Sequence, residues 1–304
     1  MSKERIWVNG EYLDKAEGVI KVSVAALHYG TSIFEGILCM EAGSGKRGAI
    51  FRLSEHLDRM LASAKALDYQ VPFSKTELES AVSGLVKENR SNTVYIRPVI
   101  FENTDYLDFR PKKKNLNIVI LGKNFNPAVY RWKMGYPRKV VISQTVTNSW
   151  PPVLIKVKIS GKYLNSILAR QEAVKKGFDD AIILDRQGYV SEATSANIFT
   201  VKDGVLKTPD RQNTLNGVTQ SSVMRLAQDL GWAVIEGKIK PEELPEADEV
   251  FLTNTASGIV SVSQIDNRLI SRRPGQSLVK ELRHKYTEII TGKDVKYQEW
   301  LHFV

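Results

Sequence analysis

Residues 180–208 read DAIILDRQGYVSEATSANIFTVKDGVLKT. Four short runs, at 180–185, 189–191, 197–202 and 205–208, are rich in apolar and β-branched residues, and turn signals at 186–188 and 203–204 separate them. Strands this short and closely spaced predict a barrel-like β domain decorated with helices. Upstream, a strand is expected at 139–146 and a helix at 163–176, where Leu164, Ile167, Leu168 and Val174 are the apolar positions and Gly177 the stop. Downstream, Leu215-Asn216-Gly217-Val218-Thr219 ends an irregular stretch and opens a helix carrying Val223, Leu226, Ala227 and Leu230.

Toward the N-terminus the pattern changes. IWVNGEYL (6–13) holds an Asn9-Gly10 pair, a strong hairpin signal. An apolar run at 33–40 leads through AGSGKRG into a strand at 49–53. Ser54 is then the expected cap of a helix with Leu57, Leu61, Ala64 and Leu67 on one face. A second helix is expected at 75–88, then strands at 93–101 and 116–121. This mixture is an α+β pattern, without the strict alternation of a doubly wound fold. A chain of 304 residues is long for one core, so two domains are expected. Residues 1–121 form the first, 122–133 (GKNFNPAVYRWK) the linker, and 134–304 the second.

Composition narrows the class. With 42% hydrophobic and 25% charged residues the chain reads as an ordinary folded soluble protein. The first twenty residues hold no apolar run, so no signal peptide is expected, and stretches such as 118–121 are far too short to span a membrane. A single cysteine, Cys39, excludes an intramolecular disulfide and fits the cytoplasm. The net charge of +9 is spread out, apart from RPKKK at 110–114. That run lacks the interleaved aromatics of single-strand binders and reads as a solvated loop, so neither nucleic acid nor membrane is an expected partner.

Most catalytic chemistries lack their residues. His28, His56, His284 and His302 are scattered without ligand spacing, so no metal is expected. No GxSxG is present, and Gly43-Ser44-Gly45-Lys46 lacks both the first glycine and the final Ser or Thr of a phosphate loop. The helix start at 215–219 does suit an anion: Gly217 permits close backbone approach, and Thr219 offers a hydroxyl and a first-turn N–H. In KVKISGKYLNS (156–166), Lys158 stands near the end of an apolar, strand-like stretch at 153–159. A lysine desolvated there loses its proton, as an imine-forming amine must. Lys156 alternates with it and shares its face, so these residues alone leave the choice open.

Eight segments, in order, carry a resemblance: HYGTSIFEGI (28–37), FRLSEHLDRM (51–60), YIRP (95–98), KISGKYLNS (158–166), GYVSEATSANIF (188–199), LNGVT (215–219), ADEVFLTNTA (247–256) and WL (300–301). Together they resemble the class IV, or fold type IV, pyridoxal-phosphate aminotransferases, most of all the branched-chain amino acid group. The resemblance implies a smaller N-terminal α/β domain, a larger C-terminal pseudo-barrel domain carrying the cofactor lysine, and pyridoxal 5′-phosphate as cofactor. It makes Lys158 the lysine that bonds the cofactor and shuttles the proton. Glu192 resembles the carboxylate on the pyridinium nitrogen, Tyr163 the hydroxyl on the phenolic oxygen, and Arg52 the phosphate arginine. Gly217, Val218, Thr219 and Thr255 would add phosphate contacts, and Leu215 would pack on the ring. Tyr95 with Thr255 and Ala256 would hold the α-carboxylate, Arg97 and Tyr29 a distal carboxylate, and Phe34 the apolar wall.

The implied substrates are small amino and keto acids: branched-chain L-amino acids as donors and 2-oxoglutarate as acceptor, giving 2-keto acids and L-glutamate. The implied assembly is a homodimer or a higher homo-oligomer. A D-amino-acid or (R)-amine transaminase, or an aminodeoxychorismate lyase, is the alternative of the same fold. A basic, non-catalytic nucleic-acid binder is the reading from another class. Several positions depart from the branched-chain pattern: Leu38 and Gln220 each replace an arginine, Asn254 replaces a glycine, SEATSAN stands for SEGxGEN, and ENTDYLDFRPKKK follows YIRP. All of them bear on substrate choice.

Overall fold

In a computed structural model that describes residues 4–43, 47–104, 115–126, 128–130, 135–270 and 277–304, Asn9 and Gly10 both take left-handed backbone, with φ of 48° and 110°. They turn β1 (Arg5–Val8) into β2 (Glu11–Asp14), the hairpin that the Asn-Gly pair calls for. β3 (Ile33–Phe34), β4 (Ile37–Ala42), β5 (Arg47–Phe51), β6 (Val94–Glu102) and β7 (Leu116–Asn124) follow in the same antiparallel sheet. Its order is C-terminal strand (Leu301–Phe303), β5, β4, β6, β7, β1, β2, with β3 beside β6.

A short helix, α1 (Ala25–Tyr29), precedes β3, and two longer ones, α2 (Leu53–Ala66) and α3 (Lys75–Glu88), share a core with the sheet. Leu57, Met60, Leu78, Val82 and Leu85 meet Ile37, Ile50, Ile96 and Ile118 there. α3 runs over the predicted residues, with Ser74 and Glu77 closing a reciprocal capping box. α2 differs at its start. Ser54 lies inside the first turn, and the N-cap is Arg52, in left-handed conformation at φ 49°. The cause is tertiary: the Arg52 N–H donates to Trp300 O at 2.7 Å, so the chain bends into the helix straight from β5.

The second compact unit is built on β8 (Arg138–Asn148), β9 (Asp180–Asp185), β10 (Val190–Ala193), β11 (Asn197–Lys202), β12 (Val205–Thr208), β13 (Ala233–Glu236), β14 (Glu249–Asn254), β15 (Gly258–Ile265) and β16 (Arg268–Leu269). These make a mixed sheet ordered β10-β9-β8-β15-β14-β11-β12-β13, with β16 beside β15. β8 runs parallel to both β9 and β15, and β12 parallel to β13. Val140, Ile182, Ile198, Leu244 and Val250 fill its core.

One turn of helix, α4 (Pro152–Ile155), precedes α5 (Tyr163–Lys175); α6 (Val218–Asp229) and α7 (Leu278–Ile290) come later. α5 ends at Gly177, φ 80°, as expected, but its apolar pattern faces the other way. Leu164, Ile167, Leu168 and Val174 are 60, 52, 46 and 63% exposed, while Ala169 and Ala173 pack against Val141, Ala181 and Ile183. Small residues let the helix approach that surface closely, which leaves the large side chains outside.

Two further expectations change. The stretch at 153–159 is no strand: Pro152 starts a helical turn that Lys156 closes in α conformation, so strand alternation does not relate Lys156 to Lys158. The domain boundaries also differ from a single cut at 122–133. One unit gathers Met1–Pro127, Val157–Lys162 and Glu288–Val304, and the other Ala128–Lys156 and Tyr163–Thr287. Pairing decides this: Gly122 to Asn124 complete β7 opposite Val94 to Ile96, Ile159 bridges to Ile33, and Leu301–Phe303 pairs with β5. Residues 44–46 of the GSGK turn, 105–114 of the atypical loop with its RPKKK run, and 127 and 131–134 of the expected linker lie outside the described residues.

Candidate active site

Lys158 is seated by its backbone. Its carbonyl accepts from Phe34 N at 3.1 Å, and its N–H donates to the Ser63 hydroxyl at 3.2 Å. On either side, Ser160 N donates to Ser32 O and Gly161 N to Gly30 O, both at 2.8 Å. The segment is thus strapped onto residues 30–34 almost as an added strand. Its Nζ sits 4.9 Å from the centroid of the Phe34 ring. Burial pushes the amine down to about 8; Arg59 and Arg97 add to that effect, and Glu35 and Tyr95 oppose it. Lys156, in contrast, is exposed at the end of α4.

α2 turns one stripe toward this region. His56, Arg59 and Ser63 fall at helical spacing, so they lie on one side of the helix, and Arg52 is the left-handed residue just before its first turn. Arg52 stacks its guanidinium 4.7 Å over the Trp300 ring and donates from Nε to Glu55 at 2.7 Å. Arg59 grips the wholly buried Glu35 through two parallel bonds, Nε to Oε1 at 2.6 Å and Nη2 to Oε2 at 2.7 Å. His56 Nδ1 lies 2.9 Å from the same Oε2. Burial works against a charged Glu35, but Arg59 and the His56 hydrogen bond overcome it and hold the carboxyl well below its usual range. Burial lowers the His56 pKa against the pull of Glu35, so the ring is neutral and donates from Nδ1. His56 Nε2 is buried without a hydrogen-bond partner among the described residues.

β6 supplies the next pair. Strand alternation buries Val94, Ile96 and Ile100 and puts Tyr95 and Arg97 together on the opposite face. Arg97 Nη2 donates to the Tyr95 hydroxyl at 2.9 Å, and the guanidinium lies 4.6 Å over the Phe34 ring. Its Nε is buried with no hydrogen-bond partner among the described residues. Gly36 makes room for the phenol, since a Cβ there would stand 2.2 Å from the Tyr95 hydroxyl. Leu38, the departure beside this pair, is buried in β4 opposite Tyr95. Tyr29 ends α1 and is 38% exposed.

The second unit holds the other candidates. Glu192 stands on β10, and its Oε2 accepts from Leu215 N at 3.4 Å. Asn197 Nδ2 donates to Leu215 O at 2.9 Å, while its Oδ1 would be 2.1 Å from a Cβ on Gly217. The glycine is therefore required by packing against β11. Val218 and Thr219 open α6 behind the N-cap Gly217, whose N–H donates to Gln220 Oε1 at 3.4 Å. Gln220, in place of an arginine, is fully buried and donates to Thr208 Oγ1 at 3.1 Å. The Thr255-Ala256 turn is held by Asn254, whose Oδ1 accepts from Ser257 N at 2.7 Å. A role for asparagine at that departure is thereby clear: its side chain bonds the backbone three residues on and holds the turn. Within SEATSAN, Thr194 is buried and donates to Asp180 at 2.6 Å. Tyr163 begins α5.

Some residues escaped the sequence reading. Tyr130 donates to Thr255 O at 3.2 Å, and Tyr286, its phenol pushed up to about 12 by burial, stands against Thr219 and Tyr130. Glu35, His56, Arg59 and Trp300 all lie inside the quoted segments, yet none was singled out. The 56/59/63 spacing on one helix was the available signal. Among the described residues no group of three or more His, Cys, Asp or Glu side chains could hold a metal, and no helix is long and apolar enough to cross a membrane.

Known proteins share this arrangement of chain. A family model described as amino-transferase class IV matches residues 32–265. A branched-chain-amino-acid aminotransferase of Pseudomonas aeruginosa is 32% identical over 295 residues, covering 97% of this chain and 95% of its own. Among solved structures, a T.th. branched-chain amino acid aminotransferase complexed with N-(5′-phosphopyridoxyl)-L-glutamate superposes with a TM-score of 0.90 at 36% identity, over 99% of both chains. The branched-chain aminotransferase of Thermoproteus uzoniensis with norvaline gives 0.91 at 32% identity, again over 99% of both.

Proposed function

Since the chain belongs to the class IV amino-transferases, and so is an aminotransferase of the fold type IV, α+β architecture, we propose that it uses pyridoxal 5′-phosphate to move amino groups from branched-chain L-amino acids to 2-oxoglutarate, giving 2-keto acids and L-glutamate. The observation that carries this reading is the surroundings of Lys158. A desolvated amine near 8 stands over an apolar ring, and that ring also carries the Arg97 guanidinium. One place thus offers a base, an apolar wall and a cation.

The residues present suit the cofactor. The phosphate dianion would be held by Arg52 and by the start of α6 at Gly217, Val218 and Thr219, with Thr255 as a further contact. Glu192 would pair with the ring nitrogen, Tyr163 would bond the phenolic oxygen, and Leu215 would pack on the ring. When bound, the cofactor supplies an aldehyde for the lysine and an electron sink for the substrate's α-carbon. Lys158 then moves the proton at that carbon. Its lowered pKa leaves a useful fraction of neutral amine near neutral pH, where the ordinary value of 10.5 would leave almost none.

Substrate choice follows from Phe34, Tyr95 and Arg97. Tyr95 with the Thr255-Ala256 turn would orient the α-carboxylate. Phe34 offers apolar contact to a leucine-like side chain. Arg97, whose Nε has no hydrogen-bond partner among the described residues, would meet a γ-carboxylate with Tyr29. When no acid is bound, its aromatic neighbours and the Tyr95 hydroxyl soften the cost of a buried charge. Structures with a glutamate adduct and with norvaline among the relatives support a site that takes both kinds of side chain. A homodimer is part of the same proposal.

A panel of L- and D-amino donors, each followed as a single half-reaction, tests the reading. Fast conversion of L-leucine, L-valine and L-glutamate supports it. Preference for D-donors or (R)-amines transfers the chain to the D-amino-acid class, and pyruvate release from aminodeoxychorismate makes it a lyase.

A further inference from the structure

Ser191 and Glu192 are neighbours on β10, and in a regular strand their side chains would point to opposite faces of the sheet. Both instead reach one loop. Ser191 Oγ donates to Asn213 O at 3.0 Å, and Glu192 Oε2 accepts from Leu215 N at 3.4 Å. A bulge is the cause. Val190 pairs with Leu184 and Glu192 with Ile183, so Ser191 is an extra residue in the ladder with β9. Such a bulge re-aims the side chains beside it.

The loop is then tied down by a residue from a third strand. Asn148, the last residue of β8, donates from Nδ2 to Ser191 Oγ at 2.9 Å and to Asn213 O at 3.3 Å. The three groups close a triangle in which the Ser191 proton is committed to Asn213, so the Ser191 oxygen accepts from Asn148. Both side chains are buried, where an unmatched hydroxyl or amide is costly and the geometry that matches them is enforced. Beyond Asn213, Leu215 is held from its other side, where its carbonyl accepts from Asn197 Nδ2 at 2.9 Å. The bond from Leu215 N to Glu192 is long for N–H···O, so a small outward shift of the loop breaks it.

We propose that Asn148 and Ser191 are positioning residues for Glu192. By tying Asn213 to β10 they hold the Leu215 N–H against one carboxylate oxygen and leave the other for the cofactor's ring nitrogen. Their own bonds go to each other and to Asn213. This rests on Glu192 being the partner of that nitrogen in the proposed function.

The test is equilibrium binding to the full chain of two ligands, pyridoxal 5′-phosphate and its analogue with a ring carbon in place of the nitrogen. Ser191→Ala and Asn148→Ala should each weaken the cofactor by roughly threefold to tenfold, the worth of one hydrogen bond, and the analogue far less. In a Glu192→Gln background Ser191→Ala should add little, because its effect runs through the carboxylate. Circular dichroism identifies the folded variants, and either one that folds decides. Equal losses for the two ligands, no loss in a folded variant, or an undiminished further loss in the Glu192→Gln background would overturn the bracket. Glu192→Gln alone reads the assignment beneath it. If that variant weakens both ligands equally, Glu192 does not meet the ring nitrogen and both readings fall. If it weakens the cofactor selectively while Ser191→Ala and Asn148→Ala do not, only the bracket falls.

Discussion

Gly30 and Gly161 meet backbone to backbone. A Cβ on Gly30 would lie 2.9 Å from the Gly161 Cα, and the Gly161 N–H donates to Gly30 O at 2.8 Å. Gly30 also takes a φ of 65°, which L side chains adopt only under strain. The contact joins the HYGTS and KISGK segments and so places Lys158 over Phe34. Gly30→Ala should therefore cost about 1–3 kcal/mol in urea unfolding of the cofactor-free chain. An unchanged midpoint would show that the approach is looser than described.

The depressed Lys158 amine links stability to pH. Its folded value is about 8 and its ordinary value 10.5, so between them the unfolded chain binds more protons. Stability of the cofactor-free protein should rise with pH across that window, and the burden should be fully present below 8. Lys158→Met removes the burden. It should be more stable than the natural chain at pH 7, by something of order 1–3 kcal/mol, and the gap should close toward pH 10. Parallel unfolding curves at pH 7 and pH 10 for the two chains check this. A constant gap would contradict the lowered amine.

Glu192 can be separated from cofactor binding. Glu192→Gln keeps the side-chain shape and an oxygen for the Leu215 N–H, but it removes the anion. The variant should still bind the cofactor, and kcat should fall strongly with little change in KM. Turnover close to that of the natural enzyme would remove Glu192 from the ring nitrogen.

Arg97 divides the two substrate types. A charge-assisted hydrogen bond contributes roughly 1.5–3 kcal/mol, which is about one to two decades in rate. Arg97→Leu should lower kcat/KM for glutamate and 2-oxoglutarate by about that factor. The leucine half-reaction should change far less. Equal losses for both donors would make Arg97 a support for Tyr95, to which it is bonded at 2.9 Å.

Assembly is testable by complementation. Tyr29 is partly exposed, and α5 presents Leu164, Ile167 and Leu168 on its surface. If the active form is a homodimer with sites that share Tyr29, mixing Lys158→Ala and Tyr29→Ala chains should restore part of the activity that each lacks. Full activity from a monomer in sedimentation would refute the shared site.

Elements set by neighbours in sequence were legible from the residues. The Asn9-Gly10 hairpin, the Ser74–Glu77 capping box and the strands β9, β11 and β12 each rest on bonds or periodicities within a few positions. Lys158 was legible as a lysine in an apolar setting, and its choice over Lys156 rested on the resemblance. What local pattern could not carry was anything set by partners distant in the chain. The turn into α2 is capped at Arg52 because Trp300 holds its N–H. The packed face of α5 is its alanines, because a close approach to Val141 and Ala181 suits small residues better than leucines.

The amino-acid sequence by itself therefore determined the order of elements, the family and the identity of the reactive lysine candidate, since these depend on local periodicity and on motifs. Tertiary structure alone decided the state of that lysine. Glu35 and Arg59 are separated by 24 positions, and Lys158 by another 99. Each would be an ordinary solvated charge in an extended chain. Their mutual field, and the burial that pushes the amine down to about 8, exist only when β3, α2 and the 157–162 segment fold against one another.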